Sequence, residues 1–247
     1  MSAKPRRLGP TVSRILRQLL HDHRTVGMLL VVPVLLLFVI YALVDGNQPK
    51  FDRIGLVMLG VFPFVIMFLV TSIAMLRERT SGTLERLLTT PLRKADLLFG
   101  YGIAFGLAAV VQAAISTTFA IWVLGLDPPG NPLLVLMIAS VDAVLGVALG
   151  LLASAFARTE FQAVQFMPVL ALPQLLACGL FAPRDQMAGW LEALSNVFPL
   201  TYAVEALQEV GSHAEATATL WQDTGIVAGV VVVALVLGAA TLRRRTA

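Results

Sequence analysis

Residues 25–44 read TVGMLLVVPVLLLFVIYALV, a stretch without a single charged side chain. A helix rises about 1.5 Å per residue, so roughly 20 apolar residues cross the ~30 Å hydrocarbon layer of a bilayer. Backbone groups in that layer must pair internally, and a continuously apolar run does this as a helix, whereas a barrel strand alternates. We therefore predict that this stretch is a membrane-spanning helix.

Five further apolar runs follow the first. They lie at 54–76, 97–126, 133–157, 161–182 and 224–242. The chain of 247 residues is 57% hydrophobic and 13% charged, which leaves too little polar surface to cover a soluble protein of that size. The sequence thus predicts an all-α, polytopic membrane protein with six transmembrane helices, in one domain over residues 1–247.

Charged residues are distributed unevenly between the loops. If the N-terminus is cytoplasmic, the inner segments hold every lysine and arginine of the 18 except Lys50, Arg53 and Arg184. Acidic residues show the opposite bias, because most of them fall in the outer segments. Since basic loops remain on the cytoplasmic side, both termini are predicted to be cytoplasmic. The net charge of +3 conceals this opposition and does not indicate a nucleic-acid partner.

Residues 11–24 place apolar side chains at helical spacing on one face. Arg14 and Arg17 fall on the opposite face. This pattern predicts an amphipathic helix lying along the cytoplasmic interface. A simple basic anchor for the first span is the alternative, and the two interpretations can coexist.

The second cytoplasmic segment, RERTSGTLERLLTTPLRKADLLFGY at 77–101, is the most distinctive polar stretch. Thr80 or Ser81 can cap a short helix, and Pro91 would stop it. Such a helix has an apolar and a charged face; the apolar face holds Leu84, Leu87 and Leu88, and Glu85 and Arg86 point away. It suits docking into a groove on another protein. An ordinary connecting loop is the alternative.

The longest segment between spans, 183–223, is predicted to lie outside. Apolar residues recur at three- and four-residue intervals on both sides of Pro199, which predicts two short helices that this proline separates. Such helices would dip into the outer leaflet or cover the outer mouth of a pathway. A small cap without a part in transport is the alternative.

Asp142 is the one acid within a predicted span, about nine residues from its outer end. A carboxyl group there costs a few kcal/mol unless it faces protein or water, so a substrate or gating contact and a structural acid both remain open. Gln112 and Gln165 are milder candidates, for hydrogen bonds between helices. The candidate pathway or gating residues are these three together with Pro199, Tyr202 and Glu205.

Motifs for chemistry are missing from the chain. Lys4, Lys50 and Lys94 are its lysines, and none lies in a G-x-x-x-x-G-K-[ST] phosphate-binding loop. His21 and His23 are two residues apart, which puts them on different faces of a helix. We therefore expect no enzyme activity, no metal site and no cofactor in this chain.

Two motifs resemble those of a known family. The segment E-R-x-x-G-T-L-E-R-L-L-x-x-P at 78–91 and the segment N-x-F-P-L-T-Y-A-V-E-A-L at 196–207 look like motifs of ABC-2 permeases, the membrane subunits of one type of ATP-binding-cassette exporter. The order of six spans also matches, so the resemblance covers essentially the whole chain.

This resemblance implies a multi-pass permease of the bacterial inner (plasma) membrane that works as a homo- or heterodimer with two separate cytoplasmic ATPase subunits, which bind ATP and Mg²⁺. The family's contact with the ATPase maps to 11–24 and about 77–94. The residues it assigns to coupling are Arg14, Arg17, Arg79, Thr83, Leu84, Glu85, Arg86, Leu87 and Leu88. The outer mouth maps to roughly 184–210.

Within the family, the compact size is most similar to drug and antibiotic exporters related to daunorubicin-resistance permeases. The expected cargo is an amphiphilic drug, an antibiotic or a lipid-like molecule, and a polysaccharide or glycolipid exporter is the close alternative. Two alternatives belong to other classes: an ion-coupled secondary transporter, and a membrane assembly protein that transports nothing. The first usually carries internal repeats and several ionisable groups within its spans, and here only Asp142 is present.

Overall fold

The structure, a computed structural model, describes residues 8–80, 94–181 and 184–241. These residues form a bundle of α-helices. In chain order the helices are α1 (Leu8–His21), α2 (His23–Leu43), α3 (Gln48–Thr80), α4 (Lys94–Trp122), α5 (Pro132–Ala153), α6 (Glu160–Ala177), α7 (Gly189–Ser195), α8 (Pro199–Ser212) and α9 (Ala218–Thr241), with a 3-10 turn at Arg184–Gln186 before α7. The all-α prediction is confirmed.

Polar side chains set several helix starts. Asp22 caps α2 through Thr25, Asn131 caps α5 through Leu133, and Thr159 caps α6 through Gln162. Each supplies a side-chain oxygen to a backbone N–H group that has no partner within the helix. The predicted interfacial helix at 11–24 is therefore divided: α1 ends at His21, and Arg24 lies in the first turn of α2.

Helix α3 is the centre of the bundle. It packs against α2, α4, α5, α6 and α8. In its most apolar stretch of 18 residues 67% of the residues are buried, whereas in the corresponding stretch of α2 only 17% are buried. Its 33 residues make about 50 Å of helix, longer than the ~30 Å hydrocarbon layer. Its charged last turn can therefore extend beyond the apolar layer.

The tightest contact in the bundle joins α3 and α5. A Cβ on Gly146 would collide with the backbone carbonyl of Phe64, and one on Gly150 would lie 2.5 Å from that of Phe68. Residue numbers increase in the same direction along both helices, so the helices run parallel. The two contacts are four residues apart on each helix, about one helical turn. Missing side chains at the two glycines are what permit this close approach.

The two ends of the bundle differ in charge. The segments predicted to be cytoplasmic meet at one end, here called the basic end, where α1, the end of α3 and the start of α6 are joined by ion pairs. The other end, the acidic end, holds α7 and α8. Trp122, Trp190 and Trp221 all lie there and are all exposed, the pattern that tryptophans show at a membrane interface.

Five of the described helices are long and apolar enough to cross a membrane: α2, α3, α4, α5 and α9. The predicted span at 161–182 forms α6, which has 18 residues, contains Pro168 and Pro173, and is not among the five. The count of six spans, and their boundaries in the bilayer, remain predictions. The five apolar helices nevertheless agree with a membrane protein of several spans.

Candidate functional site: the basic end of α3 and the buried acid of α5

Three successive charged residues, Arg77, Glu78 and Arg79, lie in the last turn of α3 at the basic end. Consecutive residues of a helix point about 100° apart, so these side chains reach in three directions. The Arg77 guanidinium donates from Nε and Nη2 to the two carboxylate oxygens of Glu160, at 2.7 and 3.0 Å. This bidentate pair joins α3 to the first residue of α6.

The other two residues join α3 to two further helices. Glu78 is 8% exposed, and its Oε1 accepts a hydrogen bond from Arg14 Nη2 of α1 at 3.1 Å. Arg79 Nη1 donates to the backbone carbonyl of Ser154, the C-cap of α5, at 2.8 Å. One helical turn therefore connects α3 to α1, α5 and α6.

Helix α1 reaches Glu78 because it lies flat on α4. Its buried face holds Thr11 and Ile15, and Gly100 of α4 lies directly beneath: a Cβ there would be 2.7 Å from Thr11 Cγ2. The apolar stripe predicted for 11–24 thus faces protein along this side. Arg14 lies beside the stripe and so meets the end of α3.

The predicted coupling residues divide into two groups. Arg14 and Arg79 both bind other parts of this chain, and Arg17 is exposed on α1. The other predicted coupling residues, Thr83, Leu84, Glu85, Arg86, Leu87 and Leu88, lie outside the described residues. Sequence reasoning did not single out the partners Glu78 and Glu160. The alternating charges at the end of a long apolar helix were a signal that could have pointed to them.

Asp142 lies in the middle of the α3–α5 contact and is fully buried. It faces Gly60 of α3, one helical turn before the Phe64–Gly146 contact; a Cβ on Gly60 would be 3.0 Å from Asp142 Oδ2 and 2.8 Å from Leu207 Cδ1 of α8. Neither carboxyl oxygen has a hydrogen-bond partner among the described residues. Gly60 thus makes the space for a buried acid that this conformation leaves unpaired.

Helix α8 and its preceding loop are held by Arg184. Its guanidinium donates to Ser195 Oγ at 3.0 Å, to Asn196 Oδ1 and to Glu205 Oε1. The Tyr202 hydroxyl donates to the Asn196 carbonyl at 2.7 Å. The two helices that the sequence predicts on either side of Pro199 are present as α7 and α8. The polar cluster around Arg184 holds them together.

The candidate pathway residues do not line one site within a single chain. Tyr202 and Glu205 belong to the Arg184 cluster, and Pro199 begins α8 beside it. Gln112 is buried and donates from Nε2 to the Leu29 carbonyl of α2 at 2.8 Å. Gln165 is exposed on α6, and Asp142 is enclosed by α3, α5 and α8. Their role in a pathway stays a prediction.

Several known proteins are similar to this chain. The ABC-2 type transporter family matches residues 11–210. "ABC transporter G family member 20" of Dictyostelium discoideum is 26% identical over 67% of this chain and 23% of its own length. "Probable multidrug ABC transporter permease YbhR" of Escherichia coli is 28% identical over 58% of this chain and 39% of its own length. "Linearmycin resistance permease protein LnrN" of Bacillus subtilis is 24% identical over 68% of this chain and 43% of its own length.

The chain thus aligns with less than half the length of each of these relatives. The family match, in contrast, extends from within α1 to the last turn of α8 and includes both the charged turn of α3 and the Arg184 cluster. Since it covers most of the 247 residues, this chain belongs to the ABC-2 type transporter family.

Proposed function

We propose that this chain is the permease subunit of an ATP-binding-cassette exporter and moves an amphiphilic drug, antibiotic or lipid-like molecule out of the cytoplasm. ATP is hydrolysed by a separate subunit, and a second permease subunit completes the pathway. Family membership supports the permease role, and relatives named for multidrug transport and linearmycin resistance support the cargo class.

The charged turn of α3 is the observation that carries this proposal. It begins the segment at about 77–94 that is predicted to dock on the ATPase, and it is bonded to α1, α5 and α6. A displacement of that segment would therefore reach three helices through hydrogen bonds rather than through α3 alone. ATP can drive export only if the ATPase binds two permease conformations with different affinity, and these contacts are where such a difference would act.

The surface of α6 supports a second permease subunit. This helix packs on α3, α7 and α8, and its remaining surface exposes large apolar side chains together with the amide of Gln165. An amide facing lipid has no hydrogen-bond partner, which is unfavourable. A partner subunit or a water-filled pathway along α6 would supply that partner.

Purification from native membranes under mild detergent tests the proposal. We expect an ATPase subunit to co-purify in a stoichiometric amount, and the reconstituted complex to export an amphiphilic dye only with an intact nucleotide site on that subunit. Export driven by an ion gradient without any ATPase would refute it. So would a purified complex that contains no ATPase.

Charge reversal in the docking segment tests the coupling. Glu85→Arg or Arg86→Glu should separate ATP hydrolysis from export while leaving membrane insertion intact. Arg53→Glu, at an exposed position of the acidic end, is the matched control and should export normally. Unchanged coupled export in both docking-segment variants would contradict the assignment.

A further inference from the structure

A cavity of about 410 Å³ opens at the basic end between α1, the start of α2, α3 and α4. Most of its wall is apolar, with Ile15, Leu19, Met28, Val70, Ala74 and Phe105 among the lining side chains. Neither the ion pairs of the charged turn nor the buried acid of α5 accounts for this cavity. It is large enough for a flexible hydrocarbon chain and is too apolar to hold ordered water along most of its length.

The polarity of the cavity changes along α3. Leu69 and Val70 line it toward the middle of the bundle, and Arg77 and Glu78 line it two helical turns further on, about 12 Å away. Asp22 and Gln18 join the polar end from α1 and the turn that follows it. An amphiphile would thus lie with its tail toward the membrane interior and its headgroup at the basic end, the orientation of a lipid in the leaflet on that side.

The rim carries both signs of charge. The Arg77 side chain is 61% exposed, and Glu160 takes only two of its five N–H groups. Asp22 is exposed, and hydrogen bonds from the Thr25 hydroxyl and backbone N–H lower the pKa of its carboxyl, so it is ionised at neutral pH. Glu78 is already paired with Arg14. The rim therefore offers a cation for a phosphate and an anion for an amine.

We propose that this cavity binds one acyl chain of an amine-bearing zwitterionic phospholipid, whose phosphate meets Arg77 and whose ammonium meets Asp22. The bound lipid fills the space between α1 and α3 and so supports the α1–α3 ion pair. This proposal depends on the placement of α3 in a membrane and not on transport, so failure of the exporter proposal would leave it standing.

Native mass spectrometry of the purified chain tests the site, with phosphatidylethanolamine and phosphatidylglycerol of identical acyl chains as probes. We expect one retained phosphatidylethanolamine, bound about threefold more tightly than phosphatidylglycerol, the scale that one exposed ion pair sets. Ala74→Phe fills the cavity and should remove the bound lipid. The matched control is Val110→Phe, on an exposed face of α4 outside the cavity, which should retain it.

The headgroup assignment has its own variant. Asp22→Asn keeps a side-chain oxygen for the N-cap of α2 and removes the charge, so the chain should still bind a lipid but lose the preference for the amine headgroup. An unchanged preference would overturn the role of Asp22.

A third measurement needs no substitution. Phosphatidylethanolamine with a photoreactive group near the end of its tail should crosslink to the lining residues toward the middle of the bundle, Leu69 and Val70 of α3 and Phe105 of α4. Crosslinks confined to the outward faces of α2 and α9, or equal retention of lipid by Ala74→Phe and the wild type, would refute the site.

Discussion

The Arg14–Glu78 pair predicts an asymmetry between two substitutions. Glu78 is buried with a side chain 9% exposed, whereas the Arg14 side chain is 32% exposed. Arg14→Met leaves a buried carboxylate without its arginine. Glu78→Gln leaves an arginine that can turn toward water. The first change should therefore reduce the free energy of unfolding much more than the second.

General magnitudes set the size of the two effects. Breaking a buried pair from one side costs about 3–5 kcal/mol, and the partial exposure of Arg14 puts the expected loss for Arg14→Met near the lower limit, about 3 kcal/mol. Glu78→Gln keeps a side chain that can accept a hydrogen bond, and its cost should be about 1 kcal/mol. Because each kcal/mol shifts Tm by about 2–4 °C in a protein of this size, Arg14→Met should lower Tm at least twice as far as Glu78→Gln does.

The single cysteine supplies the assay. Cys178 is fully buried, so a maleimide that fluoresces on reaction with a thiol reports unfolding of the detergent-purified protein as the temperature rises. Arg17→Met, at an exposed position one turn along α1, is the control and should change stability by less than about 0.5 kcal/mol.

A double-mutant cycle completes the test. Because Glu78→Gln removes the charge that Arg14→Met would leave unpaired, the variant with both substitutions should be more stable than Arg14→Met alone. The reasoning is refuted if Arg14→Met lowers Tm no more than Glu78→Gln does, or if the two shifts simply add.

Three further substitutions have clear expected outcomes. Gly146→Leu should prevent the close approach to Phe64 and destabilise the bundle by about 3 kcal/mol or more. Gly229→Leu is the control, because no atom lies near its Cβ position, and it should leave stability unchanged in the same thiol assay. Asp142→Val should raise Tm, because an unpaired buried carboxyl costs about 1–3 kcal/mol. The same variant should lower export if the acid serves transport. A lower Tm would contradict the expected gain in stability. Arg184→Lys should speed proteolysis between α7 and α8, since one lysine nitrogen would replace three guanidinium nitrogens that each hold a different partner. An unchanged cleavage rate would show that the clamp is dispensable.

The apolar helices could be predicted from hydrophobicity and charge, because each signal is local to its own segment. The break before Pro199 was equally visible, since proline cannot donate to a preceding turn. Glu78 illustrates what was not visible: its partner lies 64 residues away on α1. No spacing rule brings those two residues together, and only the packing of α1 on α4 does so.

Asp142 shows the same division. The sequence alone determined that an acid lies within an apolar helix and that its burial is costly. Only the tertiary structure decided that it faces Gly60 and Leu207 rather than a cation or an open pathway. The physical reason is that hydrophobicity and helix spacing act within a segment, whereas the parallel register of α3 and α5 depends on which distant glycines allow two backbones to meet.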